Sequence, residues 1–436
     1  MNIIRYLVLA TILLSIFPLA VELASVRFYT IDMALFPLVL FTAMYTVAGK
    51  EGVLRRGPKV QNTELLFLLF LTFVCVSTVF SVNTAESMNG MLLWLRLLLF
   101  YWCIRKCAVA GRIYGKDLYR ISYFAVLILI TVGLVQLVGP RDFGVIANYF
   151  GDNTESISLF RSRISGTSRN SNVYGMWLIA FSVPLFLQFL LSGTFKFLNV
   201  LVLGLVLVLV FATGSKSSLL FLMFTIVVTF GIAKSYLGIV IGRSFFLIIF
   251  LCGAFGIFIG TPTGFLVVEE FLGRVYNFES ASYTERTGSV APVTQLMSDA
   301  RYLIIGTGAN VYFETLDAVG IAHETFRAHV DAASNRAGIH NFTLNAFTSF
   351  GLIAVTAFTI SYLFVILKTL RALKNSAYTL PVAVSGVLLI GVLVPAQVNT
   401  VSWSVNFAPL LVYCLAITTV HYQLSIGSPK RQSVRS

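Results

Sequence analysis

Apolar runs of about 20 residues, each long enough to cross ~30 Å of hydrocarbon, recur along almost the whole chain. The spacing predicts twelve membrane-spanning helices, roughly at 4–24, 30–48, 64–81, 87–105, 119–138, 172–191, 197–212, 217–233, 244–260, 341–366, 380–396 and 404–424. Composition agrees: 57% of the 436 residues are hydrophobic and 11% are charged, whereas a soluble domain carries roughly 25% charged residues. The expected fold is therefore an all-α polytopic membrane protein.

Two polar stretches interrupt the apolar pattern and divide the chain. Residues 1–260 hold the first nine spans and a smaller polar loop near 139–171. Residues 261–340 form one large loop, expected to contain short helices, and residues 341–436 hold the last three spans and a short polar tail. The N-terminus has the apolar look of a signal peptide. It lacks a small-residue cleavage site, and Pro18 and Glu22 follow the apolar part, so it is read as the first span.

The net charge of +13 does not indicate nucleic acid, because no basic block is interleaved with aromatics. Most basic residues instead sit in short connections between spans, where the positive-inside rule places them. The connections 49–63, 105–118, 192–196, 234–243 and 367–379, both termini and Arg120 carry 19 basic residues, nine of them lysine. That side is read as cytoplasmic, with both termini on it, and the loops near 139–171 and 261–340 face outward.

The outward side holds 11 basic residues, of which only Lys216 is lysine. Topology needs positive charge alone, so the bias toward arginine calls for another reason. A planar guanidinium grips phosphate oxygens through two donors, which an ammonium does not. Arg27, Arg141 and Arg274 are read as solvated loop charge. Arg161, Arg163, Arg169, Arg286 and Arg301 are read as candidate phosphate ligands.

Three polar elements carry the candidate chemistry. The first is Arg161-Ser162-Arg163-Ile164-Ser165-Gly166-Thr167-Ser168-Arg169-Asn170-Ser171-Asn172, which leads into a span. Its small residues allow backbone N–H groups to face an anion, and the helix start adds positive potential; the plain alternative is a turn capped by Ser171 or Asn172. The second is the turn Thr213-Gly214-Ser215-Lys216-Ser217-Ser218, which holds Lys216 at headgroup depth. It matches part of a phosphate-binding loop, but the earlier glycine and the strand are missing, which argues against a nucleotide site.

The third element is the large loop. A helix is expected from Pro292, with Leu296, Ala300, Leu303 and Ile304 on one face, ending at Gly306-Thr307-Gly308. The loop closes with His340-Asn341, where the chain re-enters an apolar helix. The positive end of that helix favours a neutral imidazole, able to accept a proton from a hydroxyl; simple helix capping is the competing role. His323 and His329 lack metal-ligand spacing.

Arg96 is a lone charge inside the fourth span, costing ~3 kcal/mol if it faced lipid, so it is expected to face protein or water. The five cysteines, Cys75, Cys103, Cys107, Cys252 and Cys414, fall in or at the ends of spans and are read as buried small hydrophobes.

Taken in order, these residues resemble the O-antigen ligase and O-antigen polymerase superfamily of bacterial envelope glycosyltransferases. The resemblance rests on Arg163-Ile164-Ser165-Gly166-Thr167 with Asn170 and Asn172, and on Thr213-Gly214-Ser215-Lys216, where lysine replaces the family's usual arginine. It continues with Arg286, with Gly306, Gly308 and Asn310, and with His340-Asn341, Leu344 and Gly351. It covers about residues 160–365.

The resemblance implies an enzyme of the bacterial inner membrane. Its donor would be a glycan on undecaprenyl pyrophosphate, presented at the periplasmic face. The acceptor would be lipid A–core in a ligase, the favoured reading, or a lipid-linked repeat unit in a polymerase. No metal or cofactor is implied, and no nucleic acid. His340 would act as general base and Arg286 beside it in catalysis. Arg161, Arg163, Arg169, Lys216 and Arg301 would bind pyrophosphate, with Asn341, Gly306 and Gly308 supporting them. A lipid-linked glycan transporter is the reading from another class; it would be expected to show broken helices and midplane charges, of which only Arg96 qualifies.

Overall fold

The computed structural model describes residues 2–17, 19–23, 26–48, 60–109, 115–138, 164, 166–168, 171–192, 197–237, 290–321, 342–375, 380–393, 396 and 408–427. Almost all of these are helical. The helices are α1 (Asn2–Leu14), α2 (Asp32–Ala48), α3 (Asn62–Val79), α4 (Thr84–Val109), α5 (Gly115–Val138), α6 (Ser171–Ser192), α7 (Phe197–Ala212) and α8 (Lys216–Leu237). They continue with α9 (Val290–Leu296), α10 (Ala300–Ile305), α11 (Tyr312–Val319), α12 (Phe342–Asn375), α13 (Leu380–Gly391) and α14 (Ala408–Gly427). The expected span at 244–260 lies outside the described residues.

Among the described residues, five helices, α3, α5, α6, α8 and α12, are long and apolar enough to cross a membrane. Five shorter apolar helices, α1, α2, α7, α13 and α14, pack among them. Leucine, phenylalanine, valine and methionine side chains stand exposed along α2, α3, α8 and α12. Such an all-round apolar character fits helices whose outer surface meets lipid. The middle of the bundle is α6, where Tyr174, Trp177 and Phe181 are fully buried, together with α13 and α14.

The first expected span needs correction. The helix stops at Leu14, and the chain then forms a two-stranded antiparallel hairpin, β1 (Ala20–Leu23) with β2 (Val26–Tyr29), before α2 begins. A proline at position 18 removes a backbone donor, and Val21, Val26 and Tyr29 favour extended backbone. The hairpin is held from outside its own ladder. Arg27 donates from its backbone N–H to Asn89 Oδ1 at 3.1 Å and from its guanidinium to the Glu86 carboxylate at 2.8 Å.

Arg96 completes this anchor. It is 7% exposed, so it faces protein as the cost of a lipid-facing arginine requires. Its guanidinium lies 3.0 Å from Asp32 Oδ1, donates to the Arg27 carbonyl at 2.6 Å and sits 5.4 Å from the centre of the Tyr29 ring. Asp32 in turn accepts from the Tyr29 N–H at 2.8 Å. Arg96, in the middle of α4, thus ties the hairpin to the start of α2.

The directions of α8, α12 and α13 follow from two glycines. A side chain on Gly386 of α13 would meet Ile232 of α8 and both Thr369 and Leu373 of α12, while one on Gly391 would meet Thr225 and Phe221 of α8. Tyr362 of α12 donates to the Leu389 carbonyl of α13 at 2.6 Å. Thus α13 runs against both neighbours, and α8 and α12 begin at the same end of the bundle. Lys216 and Gly351 both belong to that end, called the motif end below.

A small second core sits at the motif end. Val293, Leu296, Tyr302, Tyr312, Phe313 and Leu316 of α9–α11 bury one another and rest on Leu344 and Phe347 of α12. The single helix expected from Pro292 is in fact two. It starts at Val290, breaks over 297–299, and restarts where Asp299 caps α10 by accepting from the Arg301 N–H at 2.8 Å. As a result Leu296 is buried, but Ala300 and Ile304 are exposed.

Candidate functional site

The described parts of the first two polar elements form one unit. The Ile164 N–H donates to the Ala212 carbonyl at 3.4 Å, at the last residue of α7. Gln136, near the end of α5, grips Gly166 twice, accepting from its N–H at 2.8 Å and donating to its carbonyl at 3.3 Å. Gly166 has φ +55°, and an added Cβ would lie 2.1 Å from the Tyr174 ring, so only glycine fits.

Ser215 joins this unit to the turn after α7. Its hydroxyl donates to Asn172 Oδ1 at 2.7 Å and accepts from the Ser218 N–H at 3.1 Å, which is the bond expected of an N-cap for α8. The Ser218 hydroxyl reaches the Asn172 carbonyl at 3.1 Å and Ser215 Oγ at 2.8 Å. Asn172, offered by the sequence as a cap for α6, instead lies inside that helix and serves α8. The serines are fully engaged in holding the turn, and Thr213, Ser215 and Ser218 are buried. Only Lys216, the first residue of α8, is exposed.

This arrangement predicts that Ser215→Ala destabilises the motif end by about 1–2 kcal/mol, the cost of losing an N-cap with a buried partner. Thermal unfolding in detergent should show it, with Ser217→Ala as a milder control.

The third element packs on α3, α4 and α12. Gly351 interrupts α12 with φ 80° and ψ 175°. A helix broken this way leaves carbonyls of the preceding turn without their usual N–H partners. Two of those carbonyls are taken by the loop after α10: the Thr307 N–H donates to Thr348 O at 2.8 Å and the Gly308 N–H to Ser349 O at 2.9 Å. A Cβ on Gly306 would lie 2.5 Å from the Ser349 carbonyl, and one on Gly308 2.5 Å from Ser87 Oγ. The Ala309 N–H then donates to Ser87 Oγ at 3.0 Å, and Arg301 donates to the Phe80 carbonyl at 2.8 Å. The loop is thereby wedged between the kink of α12 and the turn joining α3 to α4.

Gly306 is thus required by the close approach of the α12 backbone, and Gly308 by the Ser81 and Ser87 side chains against it. Arg301 is exposed and strapped to Phe80, with its guanidinium 5.4 Å from the centre of the Tyr302 ring. Nearby, desolvation pushes the Glu314 carboxyl up, the Asn83 side chain bonded to it holds it down, and the Glu86 and Asp317 carboxylates raise it further.

Of the residues singled out by sequence, Lys216, Arg301, Gly306 and Gly308 are described and all lie at the motif end. Arg161, Arg163, Arg169, Arg286, His340 and Asn341 lie outside the described residues. Among the described residues, no group of three His, Cys, Asp or Glu side chains is placed to hold a metal ion. Sequence reading missed Gln136, Ser87, Asn89 and Asp32. Asp32 carried a usable signal, being a second charge within an expected span, and so a natural partner for Arg96. Comparison of the chain with models of known protein families and with curated proteins returned no match.

Proposed function

We propose that the chain is a membrane glycosyltransferase that moves a glycan from undecaprenyl pyrophosphate to a hydroxyl of lipid A–core, the reaction of an O-antigen ligase. The observation that carries this reading is the hydrogen bonding of Ile164 to Ala212 and of Asn172 to Ser215 and Ser218, beside Lys216 exposed at a helix start. Two segments separated in sequence by α6 and α7 thus meet at one place, with Lys216 as the exposed cation. The wedge of Gly306–Asn310 lies at the same end of the bundle.

In this proposal the motif end faces the periplasm, both termini are cytoplasmic, and twelve spans cross the inner membrane. The opposite end holds Arg105, Lys106, Lys368, Arg371 and Lys374, the excess that the positive-inside rule assigns to the cytoplasm. His340 takes the proton of the acceptor hydroxyl as its oxygen bonds to the anomeric carbon. The bond from that carbon to the pyrophosphate oxygen breaks, its electron pair leaves with undecaprenyl pyrophosphate, and the anomeric configuration inverts. Arg163, Lys216 and Arg286 neutralise the departing charge, with Arg161, Arg169 and Arg301 around them. Asn341 supports His340.

The test is transfer in vitro, with purified protein, undecaprenyl-pyrophosphate glycan and EDTA. Product on lipid A–core is the expected result, and His340→Ala should lower it at least ~100-fold. Lys216→Ala should lower it by roughly tenfold while Lys216→Arg keeps it, because charge at that point is what the reaction uses. Lengthened lipid-linked chains would instead make the protein a polymerase. Near wild-type transfer by His340→Ala would remove the base assignment, and no product with either acceptor would overturn the reading.

A further inference from the structure

A cavity of about 190 Å³ opens in the other half of the bundle, away from the motifs. Its cause is the packing of neighbouring helices. The turn at 80–83 joins α3 to α4, but α3 then packs chiefly along α12 and α4 along α14, which leaves a cleft between the two. Phe67, Trp94, Leu97, Phe358 and Leu415 wall it. Trp94 and Phe358 close its deep end, 5.8 Å apart in an edge-on contact.

The cleft has one polar end. Glu64 there accepts from Tyr101 at 2.8 Å and pairs with Arg105. Lys368 bonds Gln61 and Thr63, the latter at 3.0 Å. Lys106 lies 6.0 Å from the centre of the Trp102 ring, which also lines the cleft. Arg105 and Glu64 line this end of the cleft, and Lys106 and Lys368 adjoin it through the lining residues Trp102 and Thr63. From Trp94 to Arg105 along α4 the cleft spans ~16 Å, about half of the ~30 Å hydrocarbon core. Leu68 is 45% exposed at the open side between α3 and α4, so the cleft faces the surroundings of the bundle and is not sealed within it.

We infer that this cleft is a binding site for an anionic phospholipid, with one acyl chain between α3 and α4 and the headgroup at Arg105, Lys106 and Lys368. The volume exceeds the ~150 Å³ of an apolar cavity known to hold benzene, so a chain segment fits. The length matches one leaflet, and the excess positive charge selects a headgroup with net negative charge, as basic pockets between membrane helices do. The aromatic floor continues through Phe70 to Phe350, which adjoins the Gly351 kink. A bound chain therefore braces the packing beneath the motif end. This site is independent of the glycan-transfer reading.

The experiment is native mass spectrometry of the delipidated full-length protein with phosphatidylglycerol or phosphatidylcholine added. One retained phosphatidylglycerol is expected, preferred over phosphatidylcholine by on the order of tenfold. Leu98→Trp, at the partly exposed mouth, and Ser361→Phe, inside the cleft, should each abolish retention. Lys106→Glu should erase the preference while leaving phosphatidylcholine binding unchanged. Equal retention of the two lipids would overturn the headgroup assignment. Wild-type retention by a folded Leu98→Trp variant would overturn the location, and that variant needs no tolerance in the tightly packed interior.

Discussion

Gly351→Ala is expected to release the α9–α11 substructure from the bundle, at a cost of at least ~3 kcal/mol. Two independent terms add. The backbone at Gly351, φ 80° and ψ 175°, falls in a region that is essentially restricted to glycine, and forcing another residue there costs of order 1–3 kcal/mol. An alanine Cβ would also stand 2.1 Å from the Ile304 carbonyl oxygen and 2.4 Å from its carbon. Both obstacles are backbone, so no side-chain rotation relieves them. The strain is relieved only by moving α10 away from α12, which breaks the bonds from Thr307 and Gly308 to Thr348 and Ser349. Limited proteolysis should then cut within 297–321 far faster than in the wild type. Gly320→Ala is the control. Its φ is +70°, but nothing lies within 4 Å of an added Cβ, so it should cost only ~1–2 kcal/mol and leave the wedge intact. Equal proteolysis of Gly351→Ala and wild type would show that the wedge is not what holds α9–α11.

The sequence displays the helices well because long, nearly continuous apolar runs mark them. Spans such as 172–191 and 197–212 agree with α6 and α7 to within a residue or so. It fails where contacts between residues distant in sequence decide. The run 4–24 is long and largely apolar, yet it divides into α1 and part of a hairpin. The bonds that stabilise the hairpin come from Asn89 and Glu86, more than fifty residues away. Periodicity carries no trace of such partners.

The candidate site divides in a similar way. That Gly306 and Gly308 belong to a motif is legible, but their reasons, the backbone of α12 against Gly306 and the Ser81 and Ser87 side chains against Gly308, appear only when α3, α4, α10 and α12 are seen together. Likewise Ser215 reads as one more small polar residue. Its roles as the cap of α8 and the partner of Asn172 depend on α6 and α8 lying side by side. Lys216 differs: an isolated cation at the start of an apolar helix is visible in sequence, and the fold leaves it exposed because the surrounding hydroxyls bond one another.

Arg96→Leu is expected to destabilise the protein by about 3–5 kcal/mol, the cost of stripping the partner from a buried charge. Asp32, 3% exposed, would keep only the Tyr29 N–H and the positive start of α2. The reverse change, Asp32→Leu, should cost less. Arg96 would still donate to the Arg27 carbonyl and lie against Tyr29, and its long side chain follows the tilt of helical side chains toward the motif end, where water is nearer. The double variant Arg96→Leu with Asp32→Leu should recover part of the loss, since removing both charges removes the unpaired one. Thermal unfolding of the four proteins in detergent therefore gives a coupling energy, expected near 2–3 kcal/mol for residues in direct contact. A coupling below about 0.5 kcal/mol would mean that the pair merely shares a place, and that Glu86 and Asn89 alone hold the hairpin against α4.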